Sequence, residues 1–218
     1  MPVLDSATGS MALVLFVCTG NVCRSPLAEG FLEAVLRARL GQAAPSVASA
    51  GTVGWEGSGA MPEAVAAAAD RGVDIAGHSA RRLLTAHVEE ADLVLGMTAE
   101  HRETVARAMP ETAGRVFTLK ELVRLVEALP PATTAGDPGT RLAARVAEAD
   151  ELRRSGFEGN PNDEDIVDPL GQPLESFRAI AWELEEWCDR LAEGLFGWTP
   201  ARIAAGTEGS DRAHRDGM

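Results

Sequence analysis

The sequence contains no tyrosine, only three cysteines among 218 residues, and far fewer basic than acidic side chains. Three cysteines cannot form the disulfide framework of a small secreted domain, and their odd number leaves at least one thiol unpaired. Twenty lysines and arginines oppose 33 acidic residues, so the formal net charge is −13. Because no basic patch is visible, this charge repels both nucleic acid and anionic lipid. We therefore expect neither a nucleic-acid partner nor a membrane surface.

Long hydrophobic runs are also missing. The longest run near the beginning, Met11 to Cys18, is too short to cross a bilayer, and residues 1–10 lack the basic charge of a signal peptide. We therefore expect a cytoplasmic protein. The length and the hydrophobic content of 45% suit one folded domain. We predict that it covers residues 12–203, after a flexible lead-in at 1–11 and before a flexible tail at 204–218.

Short apolar runs that alternate with helical periodicity predict an α/β fold. Strands separated by helices form a parallel sheet with right-handed crossovers. The predicted strands are residues 12–17, 45–50, 91–97 and 116–119. The predicted helices are residues 26–40, 62–71, 119–129, 140–155 and 174–196, with another helix after Thr98.

Residues 130–162 differ in composition from the rest of the chain. They contain Pro-Pro, Gly-Asp-Pro-Gly and Gly-Asn-Pro, which are typical of turns, around one charged helix. We predict a solvent-facing insertion rather than a second domain. Its place in the chain leaves three roles open: a lid over a functional site, a docking surface, or a passive loop.

The chemistry-bearing segment is Cys18-Thr-Gly-Asn-Val-Cys-Arg24, which lies between a strand and a helix and is called the anion loop here. Ligands bind where such loops leave a parallel sheet, and their backbone N–H groups form an anion nest. Gly20 permits tight curvature, and Asn21 tolerates left-handed dihedral angles. Arg24 is suited to holding two phosphate oxygens, and with the helix dipole it favours the thiolate of Cys18.

A second segment offers an acid for the leaving group of such a reaction. It reads Asp165-Ile-Val-Asp168-Pro169, and Pro169 biases the preceding aspartate towards an extended conformation. We favour Asp168 as the general acid, with Asp165 as the competing candidate. Ser25, directly after the anion loop, is placed to donate a hydrogen bond to the sulfur of Cys18 as it leaves.

Together these segments resemble the low-molecular-weight protein tyrosine phosphatase family. The resemblance covers roughly residues 12–129 and 163–195, in the family's order. It implies a three-layer sandwich with a four-stranded parallel sheet flanked by helices. The motifs are Cys18-Thr-Gly-Asn-Val-Cys-Arg-Ser-Pro26, Ser49-Ala-Gly-Thr52 with Trp55, Arg71-Gly-Val-Asp-Ile-Ala-Gly-His-Ser-Ala-Arg81, Asp92-Leu-Val-Leu-Gly-Met97 and Asp168-Pro169.

The resemblance also implies a two-step hydrolysis of phosphorylated protein through a phosphocysteine, without a metal or any other cofactor. Cys18 is then the nucleophile, Arg24 binds phosphate, and Asp168 acts first as acid and then as base. Trp55 is the expected aromatic wall of the pocket. The implied phosphate-binding positions are Thr19, Gly20, Asn21, Val22 and Cys23, and Asn21, Ser25, Ser49 and His78 are expected to hold the loop's shape.

The substrate remains open among several readings. Phosphotyrosine is the leading hypothesis, although Leu170-Gly-Gln172 follow Asp168-Pro169 where many members have aromatic residues. Phosphoarginine is the alternative, for which the family resemblance implies Thr rather than Val22. A small-molecule phosphate and a catalytically inactive anion-binding module are further alternatives. Arsenate reduction is disfavoured because residues 97–129 contain no resolving cysteines.

The other cysteines and histidines suggest smaller roles. Cys23 has two interpretations, a disulfide partner that protects Cys18 from irreversible oxidation or a small buried residue. Cys188 is expected in the core, and Asp92 is expected to support the fold. His87, His101 and His214 lack the spacing of metal ligands, so we predict no metal site.

Overall fold

Four short parallel strands form the centre of the structure, a computed structural model that describes residues 12–132, 135–157, 160 and 162–197. The lead-in predicted at 1–11 and the tail predicted at 204–218 lie outside these residues. The strands are β1 (Leu13–Cys18), β2 (Ser46–Gly51), β3 (Leu93–Gly96) and β4 (Val116–Thr118). Their order in the sheet is β2-β1-β3-β4, and every neighbouring pair is parallel.

Helices cover both faces of this sheet. They are α1 (Arg24–Leu40), α2 (Pro62–Ala69), α3 (Thr85–Glu90), α4 (Ala99–Ala108), α5 (Leu119–Ala128), α6 (Pro138–Arg154) and α7 (Leu174–Phe196). Alternate residues of β1 point to opposite faces, as in any strand. Val14 and Phe16 join the core beneath α1, α5 and α7, whereas Leu15 and Val17 join the core beneath α3 and α4. The predicted three-layer α/β sandwich is confirmed. Among the described helices none is long and apolar enough to cross a membrane.

Most predicted elements are present, with boundaries that differ by at most two residues. Thr98 caps α4 as predicted, since its Oγ1 accepts the backbone N–H of His101. Asp92 supports the fold as expected, because its carboxylate accepts the N–H of Leu13 at 2.8 Å. The short helix α3 was not predicted, because its six residues carry little apolar periodicity.

The prediction that residues 130–162 face the solvent is wrong for α6, which fills most of this segment. Leu142, Val146 and Ala149 are buried in the main core, where α6 packs against α5 and α7. Arg145 reaches across to the carbonyl oxygens of Val126 and Gly194. Buried arginines made this helix look more polar than its environment, because their guanidinium groups satisfy backbone carbonyls inside the fold. Because α6 is packed into the core, it supports the fold and does not act as a lid.

Candidate active site

The anion loop begins at the carboxyl end of β1 and runs directly into α1. Asn21 has φ 58°, so it supplies the left-handed turn that curls the loop around the thiol of Cys18. The backbone N–H of Asn21 donates to Cys18 Sγ at 3.3 Å, and Ser25 Oγ lies 2.9 Å from the same sulfur. Gly20 keeps negative φ, so the predicted curvature comes from Asn21. One backbone N–H and one hydroxyl group therefore contact the sulfur from within the loop.

A buried amide holds this curl in place. Asn21 Nδ2 donates to Ser25 Oγ at 2.9 Å and to Ser49 Oγ at 2.7 Å. The backbone carbonyl of Asn21 accepts from His78 Nε2 at 2.8 Å. The structure therefore brings together all four residues that were expected to support the loop. A fully hydrogen-bonded buried network of this kind specifies a single conformation.

Two members of this network, Glu29 and Arg81, were not predicted from the sequence. Ser49 Oγ donates to Glu29 Oε2 at 2.5 Å, and the backbone N–H of Arg81 donates to Asn21 Oδ1 at 2.9 Å. Glu29 follows Ser25 by four residues on α1, so both lie on the same helix face. The four-residue spacing of Ser25 and Glu29 was the sequence signal from which this contact could have been predicted. Arg81 was quoted within a motif, but its backbone contact has no sequence signature.

Residues after β2 are joined to the loop by backbone hydrogen bonds. The N–H groups of Val53 and Gly54 donate to Thr19 O at 3.0 and 3.1 Å, and Trp55 N donates to Gly20 O at 3.0 Å. A Cβ at Gly51 would lie 2.6 Å from Thr19 O, so only glycine allows this approach. These contacts place the Trp55 ring at the rim of the pocket, as expected.

Arg24 meets Asp168 across 144 positions of sequence. Its Nη2 lies 2.6 Å from Asp168 Oδ2, and its Nη1 donates to the carbonyl oxygen of Ile166 at 3.1 Å. The Arg24 side chain is 5% exposed, whereas that of Asp168 is 41% exposed. The guanidinium is thus fixed inside the fold, and the carboxylate reaches it from the solvent side. Asp168 occupies one of the positions that an oxyanion would take on Arg24.

The competing carboxylate is directed elsewhere. Asp165 Oδ1 accepts the backbone N–H of Ala99 at 2.8 Å, at the beginning of α4. The structure therefore brings Asp168 to the pocket and places Asp165 at a helix N-terminus. Pro169, directly after Asp168, is buried, and its stiffening role stays a prediction.

A small cavity opens above the sulfur. Apart from the loop itself, its walls are the side chains of Trp55, Leu170 and Asp168. Val22 contributes an apolar surface from within the loop. Trp55 and Leu170 are 43% and 40% exposed, so both remain available to an incoming group. The cavity thus combines an anion-binding floor with mainly apolar walls and a single carboxylate.

His101 joins the site although the sequence analysis assigned it no role. Its Nε2 lies 3.1 Å from Thr19 Oγ1, and its Nδ1 lies 2.7 Å from Thr98 Oγ1. Burial lowers the pKa of His101 to about 4, and the charge of Arg24 lowers it further in the same direction. The imidazole is therefore neutral around pH 7, and it links the anion loop to α4.

We expect His101 to destabilise the protein in acid. Its native pKa of about 4 lies below the ordinary value of 6.5, so the unfolded state takes up the proton first. The free energy of unfolding should be unaffected above pH 6.5 and fall by roughly 3 kcal/mol towards pH 4. Denaturant titrations of the parent and His101→Gln at these two pH values measure this. An equally steep loss in the variant would contradict it.

The remaining thiols are both buried. Burial raises the pKa of Cys23 to about 12, and all three cysteines are free. A disulfide between Cys18 and Cys23 therefore stays a prediction. Cys188 lies in the core as expected, with its Sγ 3.6 Å from the carbonyl oxygen of Ala28. Across the described ranges, no three His, Cys, Asp or Glu side chains cluster as metal ligands, and His214 lies outside them.

Comparisons with known proteins agree with this site. Residues 13–129 match the family model of low molecular weight phosphotyrosine protein phosphatase. The chain is 34% identical over 184 residues to a protein-arginine-phosphatase of Geobacillus stearothermophilus, covering 84% of this chain and 95% of that protein. It is 40% identical over 129 residues to a low molecular weight protein-tyrosine-phosphatase of Streptomyces coelicolor, covering 57% and 73%. A crystal structure of a low molecular weight protein tyrosine phosphatase from T. tengcongensis superposes with a TM-score of 0.62 at 36% identity, covering 84% and 98%.

Proposed function

Because the chain belongs to the low-molecular-weight phosphotyrosine protein phosphatase family, we propose that it hydrolyses phosphotyrosine in proteins through a phosphocysteine on Cys18. The observation that carries this choice of substrate is the pair of apolar walls above the sulfur. Val22 and Leu170 are aliphatic, and the Trp55 ring stands at the rim. A planar phenyl ring gains by burial against such surfaces and by stacking on an indole.

The first chemical step transfers the phosphoryl group to sulfur. The thiolate of Cys18 attacks phosphorus, the bond from phosphorus to the phenolic oxygen breaks, and Asp168 protonates that oxygen. Arg24 and the backbone N–H groups of the anion loop hold the equatorial oxygens, which carry the transition-state charge. The substrate phosphate displaces the Asp168 carboxylate from Arg24. The displaced carboxyl group then faces the leaving oxygen, which it must protonate in this step.

The second step returns the enzyme to its resting state. Asp168, now ionised, takes a proton from water as the water oxygen attacks the phosphocysteine. The bond between sulfur and phosphorus breaks, and inorganic phosphate leaves. Ser25 Oγ, 2.9 Å from the sulfur, donates a hydrogen bond that stabilises the departing thiolate.

Phosphoarginine is the second candidate, because the Geobacillus stearothermophilus relative named protein-arginine-phosphatase matches 84% of this chain. Its guanidinium group needs hydrogen-bond acceptors at the rim. The cavity offers the carboxylate of Asp168, but Val22 adds none. Thr19 Oγ1 is already within hydrogen-bond distance of His101. This shortage of free acceptors favours the phenyl ring over the guanidinium.

Val22 is the residue that tests this choice. Matched peptides that carry phosphotyrosine, phosphoarginine or phosphoserine should give kcat/KM values highest for phosphotyrosine. Val22→Thr should raise the phosphoarginine-to-phosphotyrosine ratio by about tenfold, the effect of one added hydrogen bond of ~1.4 kcal/mol. Val22→Ile, which enlarges the wall without adding an acceptor, is the matched control and should keep the parent preference. Faster phosphoarginine turnover by the parent would replace the proposal with the second candidate.

A further inference from the structure

The first turn of α4 contacts both halves of the proposed active site. On the side of the nucleophile, His101 Nε2 lies 3.1 Å from the hydroxyl of Thr19 in the anion loop. On the side of the acid, the backbone N–H of Ala99 donates to Asp165 Oδ1 at 2.8 Å. Asp165 precedes the proposed acid, Asp168, by three residues. One rigid element therefore touches the two segments that must meet during catalysis.

Two further contacts fasten the acid segment to the same corner of the fold. The backbone N–H of Ile166 donates to Met97 O at 2.8 Å, directly before α4 begins. Arg102 Nη1 lies 2.9 Å from Glu164 Oε2 and 3.0 Å from Glu121 Oε2. Both carboxylates have side chains that are only 11% exposed, so Arg102 neutralises two charges that would otherwise repel each other.

We propose that the N-cap and first turn of α4, residues 98–102, hold the acid segment, residues 164–168, in position relative to the anion loop. We call this turn the joint. Asp165 and Arg102 are its positioning residues and act through Asp168. This inference rests on the proposed function, since it takes Asp168 as the acid. In this proposal Asp165 positions the acid segment, whereas the sequence had made it a candidate for the acid itself.

The chemical argument concerns distance. Proton transfer to the leaving oxygen requires Asp168 to lie within hydrogen-bond reach, and a displacement of about 1 Å can cost up to 10²-fold in rate. Asp168 is partly exposed, and apart from Arg24 its carboxylate bonds the N–H of Leu170 at 3.2 Å. Once the substrate displaces Asp168 from Arg24, the segment is still held by Glu164, Asp165 and Ile166, and before them by Asp163, which pairs with Lys120 and Arg124. Their contacts decide where the acid then stands.

Two substitutions of Asp165 separate a positioning role from an acid role. Asparagine keeps an Oδ1 that can accept the Ala99 N–H, but it has no proton to give. The measured quantity is kcat/KM, which reports the steps up to formation of the phosphocysteine, and Asp165→Asn should keep it within about twofold of the parent. Asp165→Ala should lose about tenfold in kcat/KM on phenyl phosphate, whose leaving group needs protonation, and less than twofold on 4-nitrophenyl phosphate. If Asn and Ala lose activity equally, or if Ala slows both esters equally, the proposal is overturned.

A double variant tests the path through Asp168. If Asp165 acts only by positioning the acid, Asp165→Ala should add nothing to the loss caused by Asp168→Ala on phenyl phosphate. If the double variant instead loses activity by the product of the two single losses, the proposal is overturned. If Asp168→Ala does not slow phenyl phosphate selectively, the acid role and the joint fail together. If Asp168→Ala does and Asp165→Ala does not, only the joint fails.

The matched control removes an equivalent cap far from the site. Asp137 Oδ1 accepts the N–H of Thr140 at 2.9 Å at the beginning of α6. Asp137→Ala should lower the melting temperature much as Asp165→Ala does, with the same relative rates on both esters as the parent.

Arg102→Leu and Arg102→Lys are a second pair of test variants. The leucine variant should slow phenyl phosphate, and the lysine variant should partly restore that rate. A control that changes the ester preference, or a lysine variant no better than leucine, would count against the joint.

Discussion

Replacing Cys18 with serine is expected to reduce turnover by roughly 10⁴-fold or more, the scale seen when a covalent nucleophile is removed. The serine hydroxyl is far less ionised than a thiol at neutral pH, so it is a much weaker nucleophile. Oxyanion binding should survive, because the backbone nest and Arg24 remain. Steady-state hydrolysis of an aryl phosphate and calorimetric titration with inorganic phosphate measure the two properties separately.

The neighbouring buried thiol provides the control for this experiment. Cys23→Ser is the same chemical change five residues away, at a position where burial raises the thiol pKa to about 12 and so disfavours the nucleophilic thiolate. This variant should keep most of its activity. Substantial turnover by Cys18→Ser would remove the phosphocysteine mechanism, and equal losses in both variants would point to a damaged loop rather than a lost nucleophile.

Replacing Asp168 with alanine is expected to slow phenyl phosphate by about 10²–10⁴-fold, the usual contribution of general acid catalysis. An activated ester such as 4-nitrophenyl phosphate should suffer much less in its first step, because its leaving group needs little protonation. Values of kcat/KM, which report the first step, should therefore depend more steeply on leaving-group basicity in the variant when measured across a series of aryl phosphates.

The ion pair with Arg24 adds a second expectation for the same variant. Asp168 occupies Arg24 in the free enzyme at 2.6 Å, so its removal frees the guanidinium for an anion. Inorganic phosphate should then bind more tightly, by about threefold or more, as expected when a partly exposed competing ion pair is lost. Equal slowing of all esters together with unchanged phosphate affinity would exclude Asp168 from both roles.

Patterns among residues that are close together in the sequence were enough to predict much of this fold and half of the site. The apolar run before Cys18 and the helix after it place the anion loop at the end of a central strand. Seven consecutive residues of that loop, from Cys18 to Arg24, meet because they are adjacent in the chain. The length of α7, Leu174–Phe196, was also predictable, since its apolar stripe is long and regular.

The packing of α6 was not predictable in the same way. Pro138–Arg154 carries several arginines, which a pattern of hydrophobicity assigns to solvent. Two of them, Arg141 and Arg145, instead donate to backbone carbonyls of α5 and α7, while Leu142 and Val146 face the core. A sequence pattern records the polarity of a side chain but not whether the fold supplies it with a partner.

By itself, then, the sequence determined the parallel α/β sandwich, the anion loop with Cys18 and Arg24, and the family to which they belong. The sequence also favoured Asp168 over Asp165 as the acid, but only the tertiary structure showed that Asp168 pairs with Arg24, that Asp165 caps α4, and that His101 joins the loop to α4. Asp168 and Asp165 have the same chemistry and lie three residues apart. The sequence separates them only by Pro169, whereas the structure separates them by the hydrogen bond from Ala99 and the ion pair with Arg24, whose residues lie far from them in the chain. Contacts of that kind arise from the folded geometry and leave no local pattern to be read.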